Sequence, residues 1–279
     1  MKFKAIINTH SGSVPDSSED ELCSVVEASG HTVEIHTVDG ETLEDCCRNE
    51  LASKCDGVIA WGGDGTLACV LNYCGKNDLP VLPLPGGTMN LLVKRIHGVF
   101  QSWKEVLERA LEAERQVVIP AIRCGDHQFY VGMLAGKLTK LTQTREHIRD
   151  GELTGAIKTL IENDTFNFET AMTLDHAGGS VSATAAGIFV PDAPERGMEL
   201  ITIDPESITD LLKIGLESLY ADWDQVSGVQ HALVNELNIS MPGETSVPVT
   251  FDGELADATP PLTITLVREA VKVWSGKPE

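Results

Sequence analysis

Residues 1–115 alternate short apolar runs with segments of helical periodicity. The apolar runs predict strands at residues 3–7, 33–35, 57–61 and 79–84, each followed by a helical segment. Strands and helices that alternate in this way form a parallel sheet that is covered by helices on both faces. We therefore expect a doubly wound α/β fold in this part of the chain.

Two of the predicted helices begin with a capping box, in which a serine is followed by a glutamate at the third position after it. Ser18 and Glu21 predict the start of a helix that stops at Gly30. Ser102 and Glu105 predict a helix that runs to about Glu114. A further helix is expected over residues 42–53.

The periodicity changes after residue 116 and becomes typical of antiparallel strands. Hairpins are predicted to turn at residues 125–126 and at residues 177–179. Further strands are expected at residues 198–203, 226–239, 247–251 and 262–267, with helices at residues 153–162 and 205–220. This half is therefore predicted to be a mainly antiparallel β-sandwich.

We accordingly predict two domains, an α/β domain over residues 1–118 and a β-rich domain over residues 119–267. The last predicted strand, at residues 270–274, could return to either domain, so residues 268–279 are a candidate for completing the first one. A chain of 279 residues is long enough to bury two hydrophobic cores.

The chain is strongly acidic, with 42 Asp and Glu against 21 Lys and Arg and a net charge of -21 at pH 7. Such a surface repels nucleic acid and is not attracted to anionic membranes. We expect no nucleic-acid partner and at most peripheral membrane contact. One short segment is basic although the chain as a whole is acidic, and its basic residues are Lys137, Lys140, Arg145 and Arg149. This segment predicts either a surface that faces anionic lipid or a solvated helix.

The seven cysteines form no CxxC pair, which favours reduced thiols in a cytosol over a zinc site or disulfides. No apolar stretch is long enough to span a bilayer, and the N-terminus reaches a turn too soon for a signal peptide. We therefore expect a cytoplasmic protein.

Two glycine-rich segments follow consecutive predicted strands, at the edge where an open parallel sheet binds its ligands. They are GGDGT at residues 62–66 and PGGTMN at residues 85–90, and each is expected to open a helix. Bare glycine backbone and the N–H groups of a helix N-terminus together bind phosphate. One such turn is more often structural, whereas two on neighbouring strands predict a phosphate-binding site. NTHSG at residues 8–12 follows the first strand at the same edge.

Asp64, between Gly63 and Gly65, allows two interpretations. A carboxylate beside bound phosphates needs Mg²⁺ or a proton between them. Asp is also a good N-cap for a helix. The spacing alone does not choose between these roles.

The succession of GGDGT and PGGTMN resembles the catalytic domain of the diacylglycerol kinase family, which includes bacterial lipid kinases and sphingosine and ceramide kinases. NAD kinases and 6-phosphofructokinases are more distant relatives. FDGE at residues 251–254 extends the resemblance over most of the chain. The resemblance implies an α/β nucleotide-binding domain and a β-rich domain, with the active site in the cleft between them.

The resemblance also implies roles for individual residues. Glu254 is implied as the general base for the acceptor hydroxyl, Asp64 and Asp252 are assigned to catalysis, and Asp64 is assigned to Mg²⁺ held with ATP. The implied nucleotide contacts are Asn8, Thr37, Gly62, Gly63, Asp64, Gly65, Thr66, Leu67, Ala68, Gly86, Gly87, Thr88 and Asn90. Without the resemblance, Asp252 and Gly253 would indicate a β-turn between two strands.

The reaction implied is ATP-dependent phosphoryl transfer to a lipid alcohol such as diacylglycerol, another glycerolipid or a sphingoid base. Arg196 stands where bacterial lipid kinases of the family have an Asp that helps to hold a structural Mg²⁺, so that second metal site is not expected. Residues 131–146 lack the family's glycine-rich element on the acceptor side. A kinase for a soluble acceptor and a non-catalytic nucleotide-binding module therefore stay open, as does a homodimer.

Overall fold

The computed structural model describes residues 1–136, 139, 171–203 and 229–277. The chain divides into two compact units, of which the first is Met1–Pro120 with Arg268–Glu279 and the second is Ala121–Val267. Its strands form two sheets, one partly parallel and the other antiparallel. This confirms the prediction of a mixed α/β protein.

The first unit alternates strands and helices. Its elements are β1 (Lys2–Asn8), α1 (Ser18–Ala28), β2 (Thr32–Val38), α2 (Leu43–Glu50), β3 (Gly57–Gly62), α3 (Asp64–Lys76), β4 (Val81–Pro85), α4 (Leu91–His97) and α5 (Trp103–Ala113). The strands are parallel and lie in the order β2-β1-β3-β4. β3 and β4 are buried along their whole length, as expected for central strands of such a sheet.

The helix starts confirm one capping prediction and correct the other. The Ser102 hydroxyl caps α5 by accepting a hydrogen bond from the Glu105 N–H at 3.2 Å. In α1 the N-cap is Ser17, whereas Ser18 is buried inside the helix. The preceding turn, closed by the Ser18 N–H on the Pro15 carbonyl, starts the helix one residue earlier than the capping pattern suggests.

The second unit is built of antiparallel strands. Its elements are β5 (Gln116–Cys124, which begins in the first unit), β6 (His127–Phe129), β7 (Gly132–Gly136), β8 (Met172–His176), β9 (Gly179–Ala183), β10 (Ala185–Phe189), a 3₁₀ turn (Pro194–Arg196), β11 (Met198–Ile203), β12 (Val229–Val234), β13 (Glu236–Ser240), β14 (Val247–Phe251), β15 (Glu254–Ala258) and β16 (Leu262–Trp274). One sheet has the order β12-β11-β10-β7-β14-β15. In the other sheet, β8 pairs with β9 and β13, and β13 pairs with the start of β16.

Strands of both ladders share one hydrophobic core in this unit. Ile122, Leu174 and Ile264 come from one ladder, and Met133 and Ile188 from the other. Both predicted hairpins are present. The described part of the strand predicted at residues 226–239 forms two strands, β12 and β13. The two predicted C-terminal strands are one continuous strand, β16, whose last residues pair with β4 in the first unit.

Some predictions fall outside the described residues. They are the helices at residues 153–162 and 205–220 and the basic group of Lys137, Lys140, Arg145 and Arg149. Among the helices that are described, none has the length and apolar character needed to cross a membrane.

Candidate functional site

The two glycine turns lie directly against each other at the ends of β3 and β4. Gly62 pairs with Pro85, and the Gly86 N–H donates to the Gly62 carbonyl at 2.9 Å. A Cβ atom on Gly86 would lie 2.8 Å from the Cα of Gly62, and one on Gly87 would lie 3.0 Å from the Cα of Gly63. The two backbones touch, and side chains are excluded between them. We call residues 62–66 and 86–88 the glycine corners.

A buried tryptophan fixes the base of the glycine corners. The indole N–H of Trp61, at the end of β3, donates to the Pro85 carbonyl at 3.0 Å. The Trp61 ring is fully buried and packs against Trp103, with 4.3 Å between the ring centroids. Since Pro85 immediately precedes Gly86, this bond holds the second corner beside the first.

Asn8, the last residue of β1, and the loop that follows it bind both corners through hydrogen bonds. The Asn8 side chain donates to the Thr66 hydroxyl at 2.9 Å. The Ser11 hydroxyl accepts from the Gly63 N–H at 3.1 Å, and the Ser13 N–H donates to the Gly86 carbonyl at 2.9 Å. Sequence reasoning assigned Asn8 to the site but missed Ser11 and Ser13, although both lie in the SGS segment that follows the first strand.

Helix α3 starts at the first corner, with Gly63 as its N-cap. The N–H groups of Asp64, Gly65 and Thr66 open the helix and so have no carbonyl partner within it. Gly62 is required here because a Cβ at this position would come within 2.7 Å of the Thr66 side chain. The corner therefore presents bare backbone and the positive end of a helix dipole, which suits an anion.

Asp64 caps a helix, but not its own. Its carboxylate accepts from the backbone N–H of Leu91 at 3.4 Å and of Leu92 at 3.3 Å, in the first turn of α4. Burial raises the pKa of Asp64, while these two hydrogen bonds and the Lys94 ammonium act in the opposite direction. The N-cap hypothesis is therefore wrong for α3, whose N-cap is Gly63, because the Asp64 side chain reaches α4 instead.

The second corner is also followed by a helix, α4, but Asp64 already accepts hydrogen bonds from backbone N–H groups at the start of that helix. Asn90, the N-cap of α4, has φ 49° and turns its side chain back onto Gly87. It accepts from the Gly87 N–H at 2.9 Å and donates to the Gly87 carbonyl at 2.8 Å. Because Asp64 occupies the first turn of α4, the expectation that both helices offer free N–H groups is wrong for α4.

The remaining predicted nucleotide contacts differ in exposure. Thr37 is exposed near the end of β2, in register with Ile7 of β1, and so lies at the same edge of the sheet. Thr88 is exposed and Ala68 is half-buried. Leu67 is fully buried, so only its backbone could face a ligand.

In the second unit, the FDGE segment forms a tight hairpin between β14 and β15. Asp252 and Gly253 make the two-residue turn, with φ values of 49° and 94°. The Asp252 carboxylate accepts from three consecutive backbone N–H groups, at 2.9 Å, 2.8 Å and 3.0 Å, which belong to Tyr130, Val131 and Gly132. Glu254 follows as the exposed first residue of β15. Asp252 therefore anchors the turn that presents Glu254.

Among the described residues, one group of His, Cys, Asp or Glu side chains is close enough to share a metal ion, and it lies outside the glycine corners. It comprises Glu34, His36 and Glu50, with ligand atoms within 4.8 Å of one another. The two ring nitrogens of His36 face different carboxylates, at 3.5 Å and 3.6 Å, and the Lys4 ammonium lies 3.9 Å from Glu34. We interpret this group as a cluster of polar side chains between β1, β2 and α2.

Comparison with known proteins shows which proteins the chain is similar to. Residues 2–121 match the model of the diacylglycerol kinase catalytic domain. A protein of Staphylococcus haemolyticus (strain JCSC1435) named "Putative lipid kinase" is 22% identical over 271 residues, covering 87% of this chain and 84% of that protein.

Solved structures show the same fold. A diacylglycerol kinase from Bacillus anthracis strain Sterne aligns with a TM-score of 0.69 at 16% identity, over 98% of this chain and 96% of its own. A second protein of that strain, described as "a putative diacylglycerol kinase", gives a TM-score of 0.74 at 18% identity, over 98% and 97%. The resemblance predicted from the GGDGT and PGGTMN segments is thus confirmed by the match of residues 2–121 to the diacylglycerol kinase catalytic domain.

Proposed function

We propose that the chain is an ATP-dependent kinase that transfers the γ-phosphoryl group to the hydroxyl of a lipid alcohol such as diacylglycerol, another glycerolipid or a sphingoid base. The observation that supports this proposal most directly is the contact between Gly63 and Gly87. It places two stretches of bare backbone side by side at the start of α3. The match of residues 2–121 to the diacylglycerol kinase catalytic domain agrees with phosphoryl transfer.

The glycine corners fit a polyphosphate chemically. A Cβ on Gly63 would meet only the Cα of Gly87, at 3.8 Å, so the approach to the α3 N-terminus is not crowded. The opening N–H groups of α3 would hold phosphate oxygens, and the exposed Thr37 and Thr88 hydroxyls could add donors. The net charge of -21 repels a polyanion, so local hydrogen-bond donors of this kind would be needed for it to bind.

Asp64 is the carboxylate of the glycine corners that would hold a magnesium ion. Each of its oxygens accepts one backbone hydrogen bond and keeps lone-pair capacity for a cation. When bound, Mg²⁺ would neutralise charge on the phosphates. Its charge would also favour the ionised form of a group whose pKa is otherwise raised by burial.

Glu254 is proposed as the general base. Its carboxylate would take the proton from the acceptor hydroxyl while that oxygen bonds to the γ-phosphorus and ADP leaves. The three hydrogen bonds of Asp252 would serve this step indirectly, since they fix the turn from which Glu254 projects.

A soluble acceptor is the second candidate, and the charge of the chain favours it. A net charge of -21 gives no general attraction to anionic lipid, so a small alcohol that diffuses to the protein, in the manner of NAD, is a reasonable acceptor. A module that binds ATP without turnover is the third.

One assay separates the three candidates. The purified full chain is incubated with Mg²⁺ and ATP labelled in its γ-phosphate, with phosphatidylcholine vesicles containing diacylglycerol or sphingosine, and separately with NAD or small polyols. We expect label in the organic phase from the vesicles. Label confined to water-soluble products would favour the soluble acceptor, and ATP binding without any product would favour the non-catalytic module.

A matched pair of variants tests the base. Glu254→Gln should nearly abolish transfer while leaving ATP affinity unchanged, because only the proton acceptor is lost. Glu244→Gln changes another exposed glutamate of the same unit and should be as active as the wild type. Equal activity of Glu254→Gln and the wild type would remove Glu254 from the mechanism.

A further inference from the structure

Within the described residues, strand β2 lies at the end of its sheet, so one of its two edges has no neighbouring strand. On its other edge it pairs in parallel with β1 over its whole length, Thr32–Val38. Five of its seven residues are β-branched, and it contains neither proline nor glycine. A long, regular edge of this kind is a surface on which another strand can pair.

Two hydrogen bonds show which backbone groups of β2 face β1. The Thr32 N–H donates to the Met1 carbonyl at 3.0 Å, and the Val38 carbonyl accepts from the Thr9 N–H at 3.3 Å. In a strand, successive residues direct their N–H and C=O groups to opposite sides. The even-numbered residues of β2 therefore all face β1.

The odd-numbered residues of β2 direct their N–H and C=O groups away from the sheet. They are Val33, Ile35 and Thr37. In the part of the chain that the structure describes, no other group forms a hydrogen bond with these outward groups. The outer edge of β2 thus offers three donors and three acceptors, one of each from every odd-numbered residue.

We propose that β2 pairs with β2 of a second copy of the chain, antiparallel about a two-fold axis, so that the two sheets join into one. The axis passes between the two Ile35 residues. Ile35 then lies opposite Ile35, and Val33 lies opposite Thr37 on each side of the axis. Each of these pairs exchanges two hydrogen bonds, so all the outward groups are satisfied. Such an interface is isologous and closes at two copies.

The polar side chains of β2 select this register. With Ile35 on the axis, Glu34 of each copy lies directly opposite His36 of the other, at a position where side chains approach most closely. Moving one strand by two residues would place Glu34 opposite Glu34 or His36 opposite His36, and like charges in such positions destabilise a strand pair. The central register also pairs all seven residues of the strand. The complementarity lies within one sequence, which is why the partner is a second copy.

The side chains that would meet beside the axis are placed for this contact. Glu34 is exposed, and its carboxylate lies 3.5 Å from the His36 Nε2 atom and 3.9 Å from the Lys4 ammonium of its own chain. The Nε2 atom has no hydrogen-bond partner among the residues described. The Glu34 carboxylate of the second copy would bring a partner to this nitrogen, which the single chain leaves unsatisfied.

The proposed pairing leaves the glycine corners of both copies uncovered by β2. The corners follow β3 and β4, which are separated from the β2 edge by β1. Because the two copies run antiparallel, the carboxyl ends of their strands point in opposite directions, and so do the corners. The proposal concerns association alone and holds whether or not the chain is a kinase.

The first experiment is sedimentation velocity of the full chain over a range of concentrations, with amide hydrogen exchange at the two ends of that range. A seven-residue strand pair is a small interface, so we expect a reversible equilibrium between monomer and dimer. Exchange of residues 32–38 should slow as the dimer forms. A chain that stays monomeric throughout would overturn the proposal, and so would a dimer in which residues 32–38 exchange as fast as in the monomer.

A charge exchange tests the register. Glu34→Lys places a cation opposite His36, and His36→Glu places two carboxylates opposite each other. Each change should raise the dissociation constant of the dimer about tenfold, because the pair occurs twice. The double variant should restore dimerisation, since lysine and glutamate then face each other.

The control for these variants is Glu112→Lys, which makes the same change of charge at an exposed position on α5. It should dimerise as the wild type does. Equal dissociation constants for Glu34→Lys and Glu112→Lys, or no recovery in the double variant, would contradict the proposed register.

Proline at two adjacent positions tests the direction of the backbone groups. Val33→Pro removes an N–H that faces the second copy and leaves the bonds to β1, so it should stay folded and become monomeric. Glu34→Pro removes an N–H that faces β1 and should lower the melting temperature much more. Dimerisation of Val33→Pro with the wild-type dissociation constant would overturn the proposal. If Val33→Pro does not fold, the charge variants decide the question.

Discussion

Gly87 lies so close to Gly63 that a Cβ atom on Gly87 would come within 3.0 Å of the Gly63 Cα atom. The neighbouring Gly86 is still more confined, since its Cβ would lie 2.6 Å from the Val14 side chain and 2.8 Å from the Gly62 Cα. The glycine corners are therefore packed backbone to backbone. Their glycines serve close packing as well as the proposed approach of phosphate.

The first prediction concerns these contacts. Gly87→Ala should lower the free energy of unfolding by about 1–3 kcal/mol, the usual cost of overpacking, and should weaken ATP binding because the corners separate. Gly86→Ala should cost more. Gly12→Ala is the control, because a Cβ at Gly12 meets no atom within 4 Å. Urea denaturation and ATP titration measure both effects, and equal stability of Gly87→Ala and Gly12→Ala would contradict the prediction.

The second prediction separates the two roles of Asp64. Asp64→Ala should lower the free energy of unfolding by about 1 kcal/mol, because the N–H groups of Leu91 and Leu92 lose their acceptor. Asp64→Asn keeps an acceptor oxygen and should be less destabilised. If Asp64 also holds Mg²⁺, Asp64→Asn should need more Mg²⁺ for half-maximal transfer. A normal Mg²⁺ titration with Asp64→Asn would leave the capping of α4 as the sole role of Asp64.

The raised pKa of Asp64 predicts that the stabilities of the wild type and of Asp64→Asn depend differently on pH. The folded-state pKa is raised above the ordinary value of 3.8, so the stabilising effect of the proton is fully present below pH 3.8 and is lost as the pH rises through the raised value. Relative to Asp64→Asn, the wild type should therefore lose stability with rising pH just above 3.8. Parallel pH profiles for the two proteins would contradict the sign of the shift.

Features set by local sequence were predicted well. The glycine corners are local, since a GG segment after an apolar strand specifies a turn and the parallel sheet brings consecutive turns together. The turn at Asp252 and Gly253 is local too. The Ser102 cap depends only on its own helix, and it was also predicted correctly.

Features that depend on contacts between residues far apart in the sequence could not be predicted from local sequence patterns. Asp64 caps a helix that starts 27 residues later, and helical spacing cannot indicate that the chain brings the two together. The three N–H groups that bind Asp252 lie about 120 residues away in sequence, as set by the pairing of β14 with β7.

The third prediction tests the anchor of the FDGE turn. Asp252→Ala should lower the free energy of unfolding by about 2 kcal/mol or more, because three backbone N–H groups lose a charged acceptor. Asp252→Asn keeps one carbonyl oxygen and tolerates positive φ, so its loss should be smaller. Glu254→Gln, two residues away and exposed, should leave thermal unfolding unchanged. Equal melting temperatures for Asp252→Ala and Glu254→Gln would show that the three hydrogen bonds contribute little.

The fourth prediction concerns acid stability and His97 at the end of α4. His97 is fully buried, and its Nδ1 accepts a hydrogen bond from the Gly276 N–H at 3.2 Å. Burial lowers the pKa of His97 from 6.5 to about 4, and the Arg109 guanidinium adds to the effect. The folded state is therefore more stable with His97 neutral than with His97 protonated.

The direction of this pKa shift determines whether the protein gains or loses stability as the pH falls. A histidine with a lowered folded-state pKa contributes its stability above pH 6.5 and loses it as the pH falls toward 4, by about 3 kcal/mol in total for the shift from 6.5 to about 4. His97→Gln should remove this part of the pH dependence, whatever its effect on stability at pH 7. His10→Gln changes an exposed histidine of the same unit and should keep the wild-type profile. Urea denaturation at a series of pH values between 4 and 7 measures the slopes. If His97→Gln and the wild type lose stability in parallel, protons bind elsewhere, and His97 cannot be the group that limits stability in acid.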